Sequence, residues 1–296
     1  MKGLAIINPA AGGGRCGGIA PTVLRQLAES GLELASTKTQ ASGDACRMAA
    51  EAWSNGVRTF VAVGGDGTAY EILNGLYPVM GNERPTIGFL PLGTGNSFIR
   101  DFDISTAEEA IQVLSEGRRR TCDIVKLEHT KGELVFLNLI SLGFSARVAA
   151  LTNRRFKPFG DAGYAMAVVA SLLNHKHPVD PYSADGQPVE ERPHTLLSFC
   201  NSRYTGGKMM MAPNADPTDG KVDIIRINAI SRRRLLRAFP KIYTGRHVEF
   251  PEVETNSARQ IRFDFSGPVD VMIDGEVLHI QPTHLQVLPK AIEIMI

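Results

Sequence analysis

Tryptophan occurs once in this chain of 296 residues and cysteine four times, at Cys16, Cys46, Cys122 and Cys200. The cysteines lie far apart, form no Cys-x-x-Cys pair and have no histidine at ligand spacing, which argues against a disulfide framework and against a zinc site. Free thiols in a reducing compartment are the plain reading. Long hydrophobic runs are lacking too. The longest, Ala165 to Leu173 with Ser171 inside it, is about half of the roughly 20 residues that cross a bilayer. At the start of the chain the apolar run Leu4 to Ile7 falls short of the ~7–15 residues at the heart of a secretory signal, so a cytoplasmic location is expected. Nor does one charge dominate: 32 Lys and Arg face 31 Asp and Glu, a formal charge of +1. A whole-molecule field cannot then steer the chain to nucleic acid or to an anionic membrane, and any such contact must be a local patch.

What is present is an ordinary globular composition, 43% apolar and 21% charged, with length for roughly two domains. The first ~120 residues alternate short apolar runs with helical patterns. Strands are expected at Leu4–Ile7, Leu32–Ser36, Thr59–Val63 and Thr86–Leu90, each followed by a helix, over 19–29, 43–54, 68–76 and 106–116. This βαβα order predicts a parallel sheet covered by helices. Ala45, Met48, Ala49 and Ala52 form one apolar stripe, and Ala107, Ile111 and Leu114 another. From about Cys122 the texture changes to Val- and Ile-rich runs broken by Gly, Pro and Asp, at 122–128, 133–141, 195–200, 222–228, 259–265, 269–273 and 284–288. These read as antiparallel β, interrupted by helices at Tyr164–Leu173 and from an N-cap at Ser231 to about Thr244. The predicted class is an α/β N-terminal domain over 1–122 and a β-rich C-terminal domain over 123–287, with a cleft between them. The last residues, 288–296, are expected to return to the first domain.

Three small-residue loops follow strands in the first half. Asn8-Pro9-Ala10-Ala11-Gly12-Gly13-Gly14 lies between the first strand and the first helix, where backbone N–H groups and the helix N-terminus suit phosphate oxygens. Gly64-Gly65-Asp66-Gly67-Thr68 ends the third strand, at the edge where open parallel sheets take ligands. Asp66 in an anion-binding loop makes sense if it meets a cation, a water or an incoming hydroxyl. Gly93-Thr94-Gly95-Asn96-Ser97 repeats this chemistry after the fourth strand. Neither a Walker A loop nor a GxGxxG fingerprint is present. Asp274-Gly275 stands between two apolar runs, which reads both as a hairpin turn and as a carboxylate projected from a rigid edge. Asp216-Pro217-Thr218-Asp219-Gly220 lacks the spacing of an EF-hand, leaving a turn with one hard cation or a bare turn.

Together NPAAGG at 8–13, VAVGGDGTAYEILNGL at 61–76, PLGTGN at 91–96, NLISLGF at 138–144, GGKMMMAPNADPTDGKVDI at 206–224 and IDGEVL at 273–278 resemble the diacylglycerol kinase catalytic-domain family. That family also holds sphingosine and ceramide kinases and bacterial soluble lipid kinases. The resemblance implies a nucleotide-binding domain like that of NAD kinase and phosphofructokinase, and ATP laid across Gly64, Gly65, Asp66, Gly67, Thr68 and Glu71. Asn8, Thr39, Gly93, Thr94 and Asn96 match further nucleotide contacts. It implies Asp274 as general base on a lipid hydroxyl with Glu276 beside it, and Mg²⁺ joined to Asp66. A structural Mg²⁺ is implied at Asp219, with Asp216 and Lys221 supplying backbone carbonyls. Ser97 stands where many bacterial members carry Asp, so Asp66 and Asp123 are weighed as metal-holding substitutes. The implied partner is a diacylglycerol or sphingoid-type lipid, met in transient contact with a membrane surface. Cationic and apolar residues meet for this at 231–239 and around Arg154, Arg155, Phe156, Lys157 and Phe159. Two rivals remain: an NAD kinase, which shares GGDGT, and a catalytically silent nucleotide or lipid sensor, favoured by Ser97.

Overall fold

In the computed structural model, which describes residues 3–152, 166–167, 170–171 and 177–296, the first half alternates strand and helix. The order is β1 (Gly3–Ile7), α1 (Arg15–Glu29), β2 (Ala35–Lys38), α2 (Asp44–Ser54), β3 (Thr59–Gly64), α3 (Asp66–Met80), β4 (Thr86–Pro91) and α4 (Ala107–Glu116). The strands pair in parallel in the order β2-β1-β3-β4. Every residue of β3 is buried, which is why Thr59 to Gly64 reads as a continuous apolar run rather than an alternating one. Ala45, Ala49 and Trp53 of α2 and Ala110 and Leu114 of α4 are buried against this sheet. A capping box starts α4: the Glu109 N–H donates to Thr106 Oγ1 and the Thr106 N–H to Glu109 Oε2. The second strand begins three residues later than the sequence suggests. The Leu32 N–H donates to Leu27 O and closes α1, while Leu32 and Leu34 pack on the core.

The second half is antiparallel. One six-stranded sheet runs β13 (Val253–Ala258), β12 (Val222–Asn228), β9 (His194–Cys200), β7 (Leu139–Gly143), β15 (Val269–Ile273) and β16 (Glu276–Ile280). Strands β5 (Arg119–His129), β6 (Gly132–Phe136), β8 (Tyr182–Ala184), β14 (Gln260–Phe263) and β17 (Pro282–Met295) extend the first sheet to nine strands, and β10 (Tyr204–Thr205) and β11 (Met209–Met210) form a separate antiparallel pair. The last strand joins the two halves: Glu293 and Ile294 of β17 pair in parallel with β4, while most of β17 runs antiparallel to β5. Val125, Phe136, Phe199, Val271 and Leu285 fill the space between the two sheets. There Phe199 meets Tyr182 and Phe263 edge to face, each at 5.3 Å between centroids. A third apolar cluster covers the far face of the six-stranded sheet. It is built from α5 (Phe144–Leu151), Met209, Met211, Leu235, Ile242 and Met272.

The single strand expected over 133–141 is two strands in two sheets, parted at Leu137 and Asn138. The cause lies in the candidate site below. Ser231 caps the short helix Arg232–Ala238, accepting from the Arg234 N–H at 3.3 Å. Of the expected helix Tyr164–Leu173, residues 166–167 and 170–171 are helical. The remainder, and the cluster of Arg154, Arg155, Phe156, Lys157 and Phe159, lie outside the described residues.

Candidate active site

The three glycine loops touch. Gly12, Gly13 and Gly14 all have positive φ, at 61°, 69° and 90°, a run that only glycine sustains without strain, and the Gly14 N–H closes the loop on Ala10 O at 3.1 Å. A Cβ on Gly12 would stand 2.7 Å from Leu92 O, and one on Gly93 only 2.4 Å from the Gly65 Cα. The GGDGT and GTGN loops therefore pack backbone against backbone, joined by the Gly93 N–H donating to Gly64 O at 2.8 Å. Beside them one hollow is lined by Asn8, Thr39, Gly67, Thr68, Glu71 and Glu276. Thr68 is buried and its hydroxyl has no hydrogen-bond partner among the described residues, an open donor in a cradle of small residues. Glu71 reaches across to the start of α2, accepting from the N–H groups of Gly43 and Ala45 at 3.0 and 3.2 Å and from Ser42 Oγ. The Asn96 amide donates to Pro91 O and Gly93 O, so this side chain shapes the loop, while Thr94 is exposed.

Asp66 opens α3. Its carboxylate accepts from the Ser97 N–H at 2.9 Å and the Phe98 N–H at 3.3 Å. Desolvation nevertheless holds the carboxyl above its ordinary range. Ser97 is buried, and its Oγ accepts from the Gly207 N–H at 2.9 Å, tying this loop to the second half of the chain. Asp274 is the first residue of a tight turn between β15 and β16, with φ of 48°, followed by Gly275 at 92°. Its carboxylate accepts from the N–H groups of Leu137, Asn138 and Leu139 at 2.8, 2.9 and 3.1 Å. Those donors are what parts β6 from β7. Burial, with the Asp66 charge adding to it, pushes the Asp274 carboxyl up to about 7 despite the three donors. Asn138 stands near both acids: its N–H donates to Asp274, its side chain partly offsets the rise at Asp66, and its Oδ1 accepts from Ser202 Oγ at 2.9 Å. Glu276 faces the GGDGT loop, its Oε1 standing 3.5 Å from where a Gly67 Cβ would be.

A cavity of about 230 Å³ opens beside this pair, with Gly275 on its wall. Phe144, Val148, Leu196, Met209, Met211 and Met272 make most of it apolar, and the Arg234–Glu252 ion pair, at 2.8 Å, is also on its lining. The sequence places a cleft between the two halves, but this apolar space is not in it. It lies instead inside the C-terminal half, because α5 and the segment 232–244 roof the far face of the six-stranded sheet.

Asp123, Asp216, Asp219 and Lys221 gather at a different loop, and the three carboxylates accept hydrogen bonds within it. Both Asp123 oxygens accept backbone N–H groups, from Gly220 and Lys290, each at 2.7 Å. Asp216 accepts from the Thr218 N–H and hydroxyl, and Asp219 from the Lys221 N–H at 2.9 Å. Among the described residues, no three His, Cys, Asp or Glu side chains form a group that could hold a metal ion. The loop expected to take a cation through Asp219 and main-chain carbonyls thus has its carboxylates hydrogen-bonded within it, and Asp123 braces it from β5.

Sequence reasoning missed the N–H groups of 137–139, Asn138 near both acids, and Tyr70, whose phenol is pushed up by burial and then by the charges of Asp274 and Glu276. NLISLGF and GGDGTAY contain all of these but Leu137, yet no residue type signals a backbone N–H. The cavity left no signal at all, since its walls come from segments more than a hundred residues apart.

Residues 2–127 match the family described as diacylglycerol kinase catalytic domain, and residues 138–296 the YegS C-terminal NAD kinase beta sandwich-like domain. A protein named diacylglycerol kinase from Mycobacterium tuberculosis is 30% identical over 99% of this chain and 94% of its own. The Escherichia fergusonii protein named probable lipid kinase YegS is 28% identical over 90% of this chain and 87% of its own. A Bacillus anthracis protein named as a diacylglycerol kinase superposes with a TM-score of 0.79 at 26% identity, covering 99% of this chain and 96% of that one. Matched along nearly its whole length, the chain belongs to the diacylglycerol kinase catalytic-domain family and is a lipid kinase.

Proposed function

We propose that this kinase transfers the γ-phosphoryl group of ATP to the hydroxyl of a diacylglycerol or sphingoid-type lipid, with Asp274 as general base. The observation that carries the reading is one adjacency. The turn that holds a buried carboxyl near neutrality at Asp274 also forms, at Gly275, the wall of an apolar cavity. A base poised close to the working pH is the form that general catalysis favours. Thr68 and the loops at Gly12, Gly65 and Gly93 would hold the phosphates, with Glu276 on the lining of the same hollow beside Asp274. In the transfer the hydroxyl oxygen bonds to the γ-phosphorus as its proton passes to Asp274, and the bond from that phosphorus to the β-phosphate oxygen breaks to release ADP. A nucleotide-borne Mg²⁺ would neutralise the charge of the phosphates, and Asp66, at the start of α3 in the GGDGT loop, would be the carboxylate to hold it, leaving Asp274 free to act as the base.

The test is labelled ATP incubated with a total lipid extract and, in parallel, with NAD, followed by chromatographic separation of the products. A labelled lipid and no labelled dinucleotide is the expected result. Label on NAD alone would replace the acceptor, and ATP binding without turnover on any lipid would make the chain a sensor.

A further inference from the structure

The segment 231–246 has two faces. Leu235, Ala238, Phe239 and Ile242, at i, i+3, i+4 and i+7, line the cavity. Arg232, Arg233, Leu236, Arg237, Lys241 and Tyr243 fall on the other face and are exposed. Leu236 is 53% and Tyr243 51% exposed, among the few large apolar or aromatic side chains so placed in the described residues. Arg234 and Arg246 are paired, with Glu252 and Glu249. Among the described residues no ion-pair partner is found for Arg232, Arg233, Arg237 or Lys241, so this patch carries an excess of four positive charges on a chain whose formal charge is only +1. The half-exposed Arg234–Glu252 pair on the cavity lining brings the cavity to the surface beside the same segment.

We propose that the outer face of 231–246 docks on an anionic lipid bilayer, with Leu236 and Tyr243 entering the interface, and that the lipid passes from there into the cavity behind it. The identity of the passing lipid as substrate rests on the kinase reading above; the docking does not. Four cations argue for a membrane rather than for an apolar protein partner, since each basic residue near an anionic surface strengthens binding roughly fivefold. One short segment without a lipid anchor gives reversible attachment, suited to an enzyme that must leave with each turnover.

The experiment sediments the full chain, without ATP, with vesicles of phosphatidylcholine alone or mixed with phosphatidylglycerol. The wild type is expected on the mixed vesicles, released by salt, and in solution with the neutral ones. The variant Arg232→Gln/Arg233→Gln/Arg237→Gln/Lys241→Gln should lose the mixed vesicles by on the order of several hundredfold, while phosphorylating lipid in neutral detergent micelles as the wild type does. A Tyr243→Trp reporter, which leaves every cation in place, should shift its fluorescence to the blue on mixed vesicles only, against the constant background of the buried Trp53. Undiminished vesicle binding by the four-site variant, equal binding to both vesicle types, or an unshifted reporter would each overturn the docking face. Vesicle binding with no lipid phosphorylated would leave docking standing and remove the kinase reading instead.

Discussion

Three backbone N–H donors would ordinarily draw a carboxyl well below its usual range, yet Asp274 ends at about 7. Desolvation outweighs the donors at this buried turn, and Asp66 adds to it. Two outcomes follow at the scale of this residue. As a base, Asp274 works only when ionised, so the rate of lipid phosphorylation at limiting substrate should climb as pH rises through about 7 and level off above it, read from a pH–rate profile. The stability effect runs the other way. A carboxyl raised from 3.8 to about 7 by folding favours the folded state while protonated, and that contribution fades as pH rises through 7. Asp274→Asn does not titrate, so its melting temperature should gain on the wild type between about pH 5 and about pH 8. A constant difference across that range would show that Asp274 is not raised. The Asp-Gly hairpin itself is legible in the sequence; the donors that surround it are not, because main-chain groups of 137–139 have the same chemistry in every protein.

At the scale of elements, the α/β alternation is written in the periodicity, and α1 to α4 form over the expected segments, α1 beginning four residues earlier at Arg15. The errors have local causes. Leu32 is drawn into the closure of α1, which delays β2, and Asp274 splits what reads as one strand at 133–141. The GGDGT helix also positions its neighbour, since Glu71 of α3 supplies the cap that the start of α2 lacks in its own side chains. Glu71→Ala should lower stability by about 1 kcal/mol, the usual worth of a cap. It should also weaken ATP binding, because Thr39 and Ser42 line the same hollow. Denaturant unfolding and nucleotide titration read the two effects, and unchanged values in both would make the contact incidental.

The whole molecule depends on joining the two halves firmly, since the phosphate cradle belongs to one and Asp274 to the other. Asn74 of α3 pairs with both the N–H and the carbonyl of Val135, at 2.9 and 2.8 Å. Arg203 donates to the buried carboxylate of Asp101 at 2.7 Å, and Ser97 accepts from Gly207. None of these long-range partners can be chosen from sequence spacing, and the same holds for the cavity, whose walls meet only after the six-stranded sheet has formed. Ala238 is buried on that wall. Ala238→Phe should therefore cut activity on long-chain lipid by tenfold or so, the order expected when a few methylenes lose their place, with ATP affinity unchanged. Equal activity on long-chain lipid would move the acceptor out of this cavity.

The most direct test of the central claim compares transfer of labelled phosphate from ATP to lipid by the wild type and by Asp274→Asn, with ATP affinity measured on both by calorimetry. With a general base removed, transfer should fall by about a hundred- to ten-thousandfold while ATP still binds. Equal transfer by the two proteins would contradict the account.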